Sequence, residues 1–195
     1  MSRDLFDEAL EAARLLHAAT SALRDFGGWP DDLRAMDIPP NPVPAAELVV
    51  AFDYPTPPLC EPLVEAFRAV SPQIGWRRTY SEDEVGADFL NRNGYAELFG
   101  PEGHFHSDQL RGYLAYWGEG LYYDWHRHEA EEIYFILSSG AEFHSQDRES
   151  IYAKPGDTIY HKAWQPHAMT THAEPVLTFV LWRGEGMADV PRMDT

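Results

Sequence analysis

Cysteine is nearly absent from the chain. Cys60 is the single cysteine among 195 residues, so an internal disulfide is impossible and no cluster of thiolates can hold a metal ion. A metal site in this chain would have to use imidazole and carboxylate ligands.

Positive charge and long apolar runs are scarce as well. Fifteen lysines and arginines stand against 32 aspartates and glutamates, which gives a formal net charge of −17 at pH 7. Nucleic acids and anionic membrane surfaces would repel such a chain, so we expect neither as a partner. No segment approaches the roughly 18 apolar residues of a membrane span, and the N-terminus lacks the basic start and apolar run of a signal peptide. The sequence therefore predicts a cytoplasmic protein.

The first half of the chain has helical patterns. Apolar residues recur at helical spacing over about residues 3–25, before the helix-stopping pair Gly27–Gly28. A proline-rich connector follows, and the run ELVVAFDY then suggests a short strand. Two further helices are predicted in EPLVEAFRAV and SEDEVGADFL, the second with Ser81 and Glu84 at the spacing of a capping box.

The pattern changes near residue 100. Short β-rich runs between turn residues follow: RGYLAYWG, EIYFIL, AEFHSQ, DTIYH and VLTFVLW. Their spacing is typical of a small antiparallel barrel or jelly roll. We predict a mainly β fold, in which residues 1–100 form a helical N-terminal region that packs on a β-barrel of residues 101–195. Eight of the nine histidines lie in the second half, so we expect the chemistry there.

The stretch WHRHEAEEIYFIL is the strongest candidate for a metal site. His126 and His128 share one face of a strand, and Glu132 shares a face with Tyr134 on the next strand. Glu131 has the wrong parity and is expected to be solvated. Two imidazoles and a carboxylate suit one divalent transition ion, such as zinc, iron, manganese or nickel, and leave positions open for substrate.

A fourth ligand is expected from elsewhere in the sheet. We favour His167 in WQPHAM, because it begins a strand after a turn that contains proline. His161 in DTIYH is the rival, and His144 and His172 are weaker candidates.

Two stretches resemble the sequence motifs of the cupin superfamily. Gly120 is followed by five residues, HxH, three residues and Glu132, which is the pattern of the first cupin motif. The second motif is represented by KPGDTIYHKAWQPHAM, with His167 as its last histidine. The Pro-x-Gly that usually precedes this histidine is replaced by Lys162–Ala163–Trp164, and Thr171 stands where the motif usually has asparagine. The resemblance implies a cupin fold.

A closer resemblance is to the cupin lyases that act on dimethylsulfoniopropionate (DMSP). It is carried by GLYYDWHRHEAEEIYFILSSGAEF and PGDTIYHKAWQPHAMTTHAEPVLTFVLWRGE, and upstream by WRRTYSEDEVGADFLNRNGY and SDQLRGYLAYW. The resemblance implies a carbon–sulfur lyase that forms dimethyl sulfide and acrylate from a small zwitterionic or anionic carboxylate. It also implies metal ligands at four positions and active-site tyrosines at two. The implied ligands are His126, His128, Glu132 and His167, and the implied tyrosines are Tyr134, as catalytic base, and Tyr123.

Tyr123 departs from the simple strand pattern. Strict alternation places it on the opposite face from His126, so it reaches the site only if a β-bulge lies between them. The family usually has proline after this tyrosine, where the chain has Asp124. Trp182 and Tyr160 are predicted as further pocket residues, since aromatic faces attract a sulfonium cation.

Three other functions fit the same pattern. One is a lyase acting on a different small carboxylate, another is an iron-dependent cupin dioxygenase, and the third is a cupin that binds a ligand without catalysis. The N-terminal helices are expected either to cover one end of the barrel or to form the contact of a homodimer.

Overall fold

A computed structural model describes residues 3–193 and shows helices followed by a β-sandwich. The helices are α1 (Arg3–Ala19), α2 (Ser21–Phe26), α3 (Pro44–Val50), α4 (Glu61–Val70) and α5 (Glu82–Arg92). The early strands are β1 (Arg34–Ala35), β2 (Trp76–Arg77), β3 (Asn93–Gly100), β4 (Phe105–His106) and β5 (Arg111–Trp117). The later strands are β6 (Tyr122–Arg127), β7 (Glu131–Ser138), β8 (Ala141–Ser145), β9 (Arg148–Ala153), β10 (Thr158–His161), β11 (His167–Thr171), β12 (Val176–Arg183) and β13 (Arg192–Met193).

The strands form two sheets. The larger has the order β1-β4-β3-β5-β12-β7-β10, with β2 also paired to β3, and the smaller has the order β13-β6-β11-β8-β9. The strands pair antiparallel except for β3 and β4, which are parallel. From β6 to β12 successive strands alternate between the sheets, except that β8 and β9 form a hairpin within the smaller sheet; this is close to the connectivity of a double-sheet jelly roll. The predicted mainly β, cupin-type fold with N-terminal helices is confirmed.

Two apolar cores lie on opposite faces of the large sheet. Along β7, Ile133 and Phe135 belong to the core that also contains Phe6 and Phe67 of the helices. Tyr134, on the same strand, belongs to a second core, formed with residues of the small sheet. This alternation is the period of two that a strand imposes, and it directs the polar face of β7 into the space between the sheets.

The N-terminal half differs from its prediction in three places. The first helix is interrupted at Thr20, where the backbone is extended. The run predicted as a short strand begins inside α3, because Pro44 favours a helix start and Ala45, Ala46 and Val49 form a buried helical face. The division at residue 100 also cuts through the sheet, since β3 pairs with β5 along most of its length.

Two other helix predictions are confirmed. EPLVEAFRAV forms α4, whose buried residues recur at helical spacing. α5 begins with the predicted capping box between Ser81 and Glu84 and is interrupted at Gly86, which has a φ of +80°. Among the described residues, no helix is long and apolar enough to cross a membrane.

Candidate active site

Four polar side chains meet in the core between the two sheets. His126 lies on β6, His128 follows that strand directly, Glu132 lies on β7 and His167 begins β11. Strand pairing sets two of them side by side, since His167 is the register partner of His126. Each of the four is only 1–2% exposed, which is unusual for ionisable groups and requires partners inside the core.

Each of the three histidines is fixed by a backbone carbonyl two residues away. The Nδ1 atoms of His126, His128 and His167 lie 2.8 Å from the carbonyl oxygens of Asp124, Ala130 and Gln165, respectively. A carbonyl only accepts hydrogen bonds, so Nδ1 carries the proton in each ring. The Nε2 lone pair of each ring is therefore available as a ligand.

Three ligand atoms converge as a metal site requires. Nε2 of His128 and Nε2 of His167 lie 3.4 Å and 3.2 Å from Oε2 of Glu132. His128, Glu132 and His167 offer ligand atoms that all lie within 4.8 Å of one another. Nε2 of His167 is buried without a hydrogen-bond partner. Two lone pairs that face a carboxylate repel it unless a cation lies between them, so this donor set fits a divalent transition metal ion.

His126 lies beside this group of three. Its ring centroid is 4.1 Å from that of His167 and 6.5 Å from that of His128. Burial, with His167 next to it, holds the pKa of His126 well below its usual value. Burial alone would raise the pKa of Glu132, but His128 and His167 hold it well below its usual range. The carboxylate is thus ionised and the ring of His126 neutral, which are the forms that bind metals.

The rival histidines do not join the group. His161 is fully buried and its ring stacks on that of His167, with centroids 3.9 Å apart. Burial lowers the pKa of His161 to about 2. His144 binds the hydroxyls of Ser150 and Thr170, and His172 is half exposed.

Tyr134 lies in the same core, two residues after Glu132. It is 5% exposed, and its ring packs 5.1 Å from Phe143 and 6.0 Å from His161, between centroids. Burial, and then the charge of Glu132, raise its pKa well above the usual value. Both effects favour the neutral phenol of Tyr134.

A β-bulge brings Tyr123 to the site. His126 and Tyr123 pair with His167 and Met169, so three steps along β6 correspond to two along β11. The extra residue reverses the parity, and the Tyr123 ring stacks on that of His126 with centroids 3.8 Å apart. Its hydroxyl lies 2.9 Å from that of Tyr80. The β-bulge that Tyr123 requires to reach the site is therefore present between Tyr123 and His126.

A cavity opens beside the group and has about 440 Å³ of empty space including its mouth. Its walls include the predicted residues His126, Glu132, Tyr134, Tyr123 and Trp182. Other parts of the wall come from Thr79, Tyr95, Arg111, Tyr113, Trp117, Asp189 and Pro191. The cavity is mostly aromatic with a few polar groups, which is the composition of a small-molecule site.

Trp182 and Tyr160, both predicted as pocket residues, lie in different places. The Trp182 indole lines the cavity, donates a hydrogen bond to Oε1 of Glu132 over 2.7 Å and stacks on His128. Tyr160 points away from the cavity, is 38% exposed and donates a hydrogen bond to Glu131. Its neighbour His161 takes the inward position on β10, so alternation excludes Tyr160 from the site. Glu131 also lies outside, and it is paired with Arg183 at 2.6 Å rather than simply solvated.

Arg111 is a wall residue that sequence reasoning missed. It is 2% exposed and paired with buried Glu97, at 2.9 Å. Its Nη1 donates hydrogen bonds to the carbonyl oxygens of Met187 and Asp189, at 2.8 and 2.9 Å. The segment after β12 is thereby held against the cavity. No local pattern reveals this role, because the partners are about 76 residues apart.

Comparison with known proteins places this chain in a family. A family model for dimethylsulfoniopropionate lyases matches residues 19–178. The dimethylsulfoniopropionate lyase DddQ of Ruegeria pomeroyi is 38% identical over 180 residues, which cover 92% of this chain and 90% of that protein. Its crystal structure superposes with a TM-score of 0.94 over 98% of this chain and 97% of that one, at 36% identity.

A further crystal structure, from work on the DMSP lyases RdDddP and RnDddQII, has a TM-score of 0.97 and 44% identity. It covers the whole of both chains. The similarity thus extends through the N-terminal helices as well as the barrel. The chain belongs to the dimethylsulfoniopropionate lyase family of carbon–sulfur lyases.

Proposed function

We propose that the protein cleaves dimethylsulfoniopropionate to dimethyl sulfide and acrylate, with Tyr134 as the base and a divalent metal ion as cofactor. The observation that carries this proposal is the common cavity of Tyr134 and Glu132. A tyrosine two residues from a ligand, on the same strand face, is placed to reach a substrate whose carboxylate lies at the ligand group.

The reaction is a β-elimination. The phenolate of Tyr134 removes a proton from the carbon next to the carboxylate, and the electron pair of that C–H bond forms the double bond of acrylate. The carbon–sulfur bond breaks, and its electrons stay with sulfur, so the sulfonium leaves as neutral dimethyl sulfide. Tyr134 then releases the proton to solvent, which completes the balance.

The side chains supply position and electrostatics. His126, His128, Glu132 and His167 would hold the metal ion, and the ligand atoms of the last three lie within 4.8 Å of one another. A bound divalent ion supplies Lewis-acid stabilisation of the charge that develops on the substrate, and it favours the phenolate of a nearby tyrosine.

The aromatic wall suits the other end of the substrate. Tyr95, Tyr113 and Trp117 line the cavity, and the faces of such rings attract a sulfonium cation. As the cation becomes neutral dimethyl sulfide, this attraction weakens, which favours release of the product. Burial of the site also keeps bulk water away from the base.

Headspace measurement of dimethyl sulfide tests the proposal. The purified protein is stripped with a chelator and reloaded separately with zinc, manganese, iron and nickel, and acrylate is quantified alongside. We expect equal amounts of the two products with at least one metal and none from the stripped protein. Undiminished release of dimethyl sulfide from the stripped protein would contradict the proposed need for a metal cofactor.

The same assay separates the alternatives. Turnover of other β-substituted carboxylates without cleavage of dimethylsulfoniopropionate would contradict the proposed substrate. Oxygen uptake with iron would indicate a dioxygenase, and a protein that binds the substrate but turns over nothing would be a binding cupin.

A further inference from the structure

A tyrosine from the N-terminal half of the chain contacts Tyr123 in the wall of the cavity. Tyr80 lies in the segment between β2 and α5, and its hydroxyl is 2.9 Å from the hydroxyl of Tyr123. The two rings meet edge to face, with centroids 5.9 Å apart. Tyr80 is separated from Tyr123 by 43 positions in sequence, so only the fold brings the two together.

The segment that carries Tyr80 is fixed on both sides. The residue before it, Thr79, lines the cavity. The residue after it, Ser81, starts α5 and is held by Glu84, whose Oε2 accepts hydrogen bonds from the Ser81 backbone N–H and hydroxyl at 2.8 Å each. Further along α5, Phe89 packs on Tyr123 with centroids 5.7 Å apart. The hydroxyl of Tyr80 is therefore presented by an ordered element.

Packing fixes the ring of Tyr123 but leaves its hydroxyl proton free to rotate. His126 stacks on one side at 3.8 Å and Trp117 lies 6.3 Å away, between centroids. Within residues 3–193, the hydrogen-bond partner that the structure gives to the Tyr123 hydroxyl is Tyr80. A hydroxyl both donates and accepts, so when Tyr80 donates to Tyr123, the proton of Tyr123 is directed elsewhere, into the cavity.

We propose that Tyr80 is a positioning residue that orients the hydroxyl of Tyr123 as a hydrogen-bond donor to the substrate carboxylate. The resulting chain runs from Tyr80 to Tyr123 to the substrate, and each bond polarises the next. The inference rests on the proposed function, because that function places a carboxylate at the ligand group beside Tyr123. It assigns part of the active site to the helical region, which no motif of the barrel predicts.

A double-mutant cycle tests the inference. Tyr80→Phe removes one hydroxyl and keeps the ring, and we expect kcat/KM to fall about 5- to 10-fold, as for one neutral hydrogen bond. Because Tyr80 acts through Tyr123, the double variant Tyr80→Phe/Tyr123→Phe should have the same kcat/KM as Tyr123→Phe alone. Metal content and the thermal midpoint should be unchanged in Tyr80→Phe. Losses that multiply in the double variant would overturn the proposal, as would wild-type kcat/KM in Tyr80→Phe.

A control and a second readout keep this test separate from that of the proposed function. Tyr116→Phe is the control, since Tyr116 is buried in the core that faces the helices and does not line the cavity; it should keep wild-type kcat/KM. Acrylate binding, measured by calorimetry, needs no turnover and should weaken about 5- to 10-fold in Tyr80→Phe. Absence of dimethyl sulfide from the wild-type protein would contradict the proposed function alone. Equal acrylate affinity in wild type and Tyr80→Phe, or no binding to either, would contradict the role of Tyr80.

Discussion

The indole N–H of Trp182 donates a hydrogen bond to Oε1 of Glu132 over 2.7 Å. The other carboxylate oxygen, Oε2, faces the histidines. The bond therefore fixes the carboxylate with one oxygen directed at His128 and His167. Trp182 also stacks on His128 with centroids 4.0 Å apart, so one side chain orients two members of the ligand group.

Trp182→Phe should weaken metal binding. The variant keeps an aromatic ring but loses the hydrogen bond, and loss of such a partner of a ligand costs about 10- to 100-fold in metal affinity. Trp117→Phe is the matched control, because the Trp117 indole N–H is buried without a partner and no hydrogen bond is lost. Metal titration against a chelating indicator measures both affinities. Equal affinities in the two variants would show that the bond to Glu132 does not orient the ligand.

Tyr134→Phe should abolish turnover while the protein keeps its metal. The hydroxyl is the proposed base, whereas the ring provides the packing against Phe143. We expect kcat to fall at least 100-fold, the lower end of what general base catalysis contributes. Dimethyl sulfide release and metal content are measured on the same sample, with His128→Ala as the variant that should lose metal. Near-normal kcat in Tyr134→Phe would remove this residue from the mechanism.

Trp164→Gly should stabilise the protein slightly. Trp164 has a φ of +59°, a left-handed conformation that costs an L-residue about 1–2 kcal/mol and glycine far less. Part of that gain is offset by the flexibility of glycine in the unfolded chain, which leaves an expected gain of about 0.5 kcal/mol. Ala163→Gly, whose φ is not positive, should instead lower the free energy of unfolding by about 0.5–1 kcal/mol. Urea unfolding measures the free energy of unfolding of both variants. A decrease in both would mean that the conformation at Trp164 is not strained.

His104 should make stability depend on pH. The ring is buried, and its Nε2 accepts a hydrogen bond from the backbone N–H of Gly75 at 3.0 Å. Burial lowers the pKa of His104 to about 4 from its ordinary value of 6.5. The unfolded chain therefore takes up the proton first. Neutral His104 therefore contributes about 3 kcal/mol to the free energy of unfolding. This contribution is fully present above pH 6.5 and is lost as the pH falls towards 4.

His104→Gln removes this titration. Urea unfolding at pH 7.5 and pH 4.5 should show a larger loss of stability for the wild-type protein than for the variant, by about 2–3 kcal/mol. Comparing the two proteins isolates His104 from the other buried histidines, which titrate in both. The same loss in both proteins would contradict the assignment.

The barrel and the convergence of His128, Glu132 and His167 could be predicted because their signals are local. His126 and His128 are two positions apart, and Glu132 lies on the inward face by strand alternation, so all three side chains are expected to point inward. Strand pairing then brings His167 next to them. The glycine position of the second motif is another local signal. Trp164 occupies this position with the positive φ that glycine would adopt. The backbone N–H of Trp164 donates a hydrogen bond to the backbone carbonyl of His128 over 2.7 Å. The loop therefore keeps a positive φ with tryptophan at the glycine position.

The features that could not be predicted depend on distant contacts. Tyr123 reaches the site through a bulge, and strand periodicity carries no signal for an extra residue. The contact of Tyr80 with Tyr123 spans 43 positions and that of Arg111 with Met187 spans 76, and nothing in the local sequence distinguishes Tyr80 and Arg111 from packing residues. The run ELVVAFDY is wrongly predicted as a strand because a short apolar run rich in valine fits both the helical and the strand period.

The anchoring of the segment after β12 by Arg111 has a practical consequence for handling the protein. Asp189 and Pro191 belong to the cavity wall, and β13 pairs with β6 beside His126. A fluorescent label attached next to Pro191 would therefore lie at the wall of the cavity. A label on the exposed side of α1, which packs in the core on the other face of the large sheet, would lie away from that cavity.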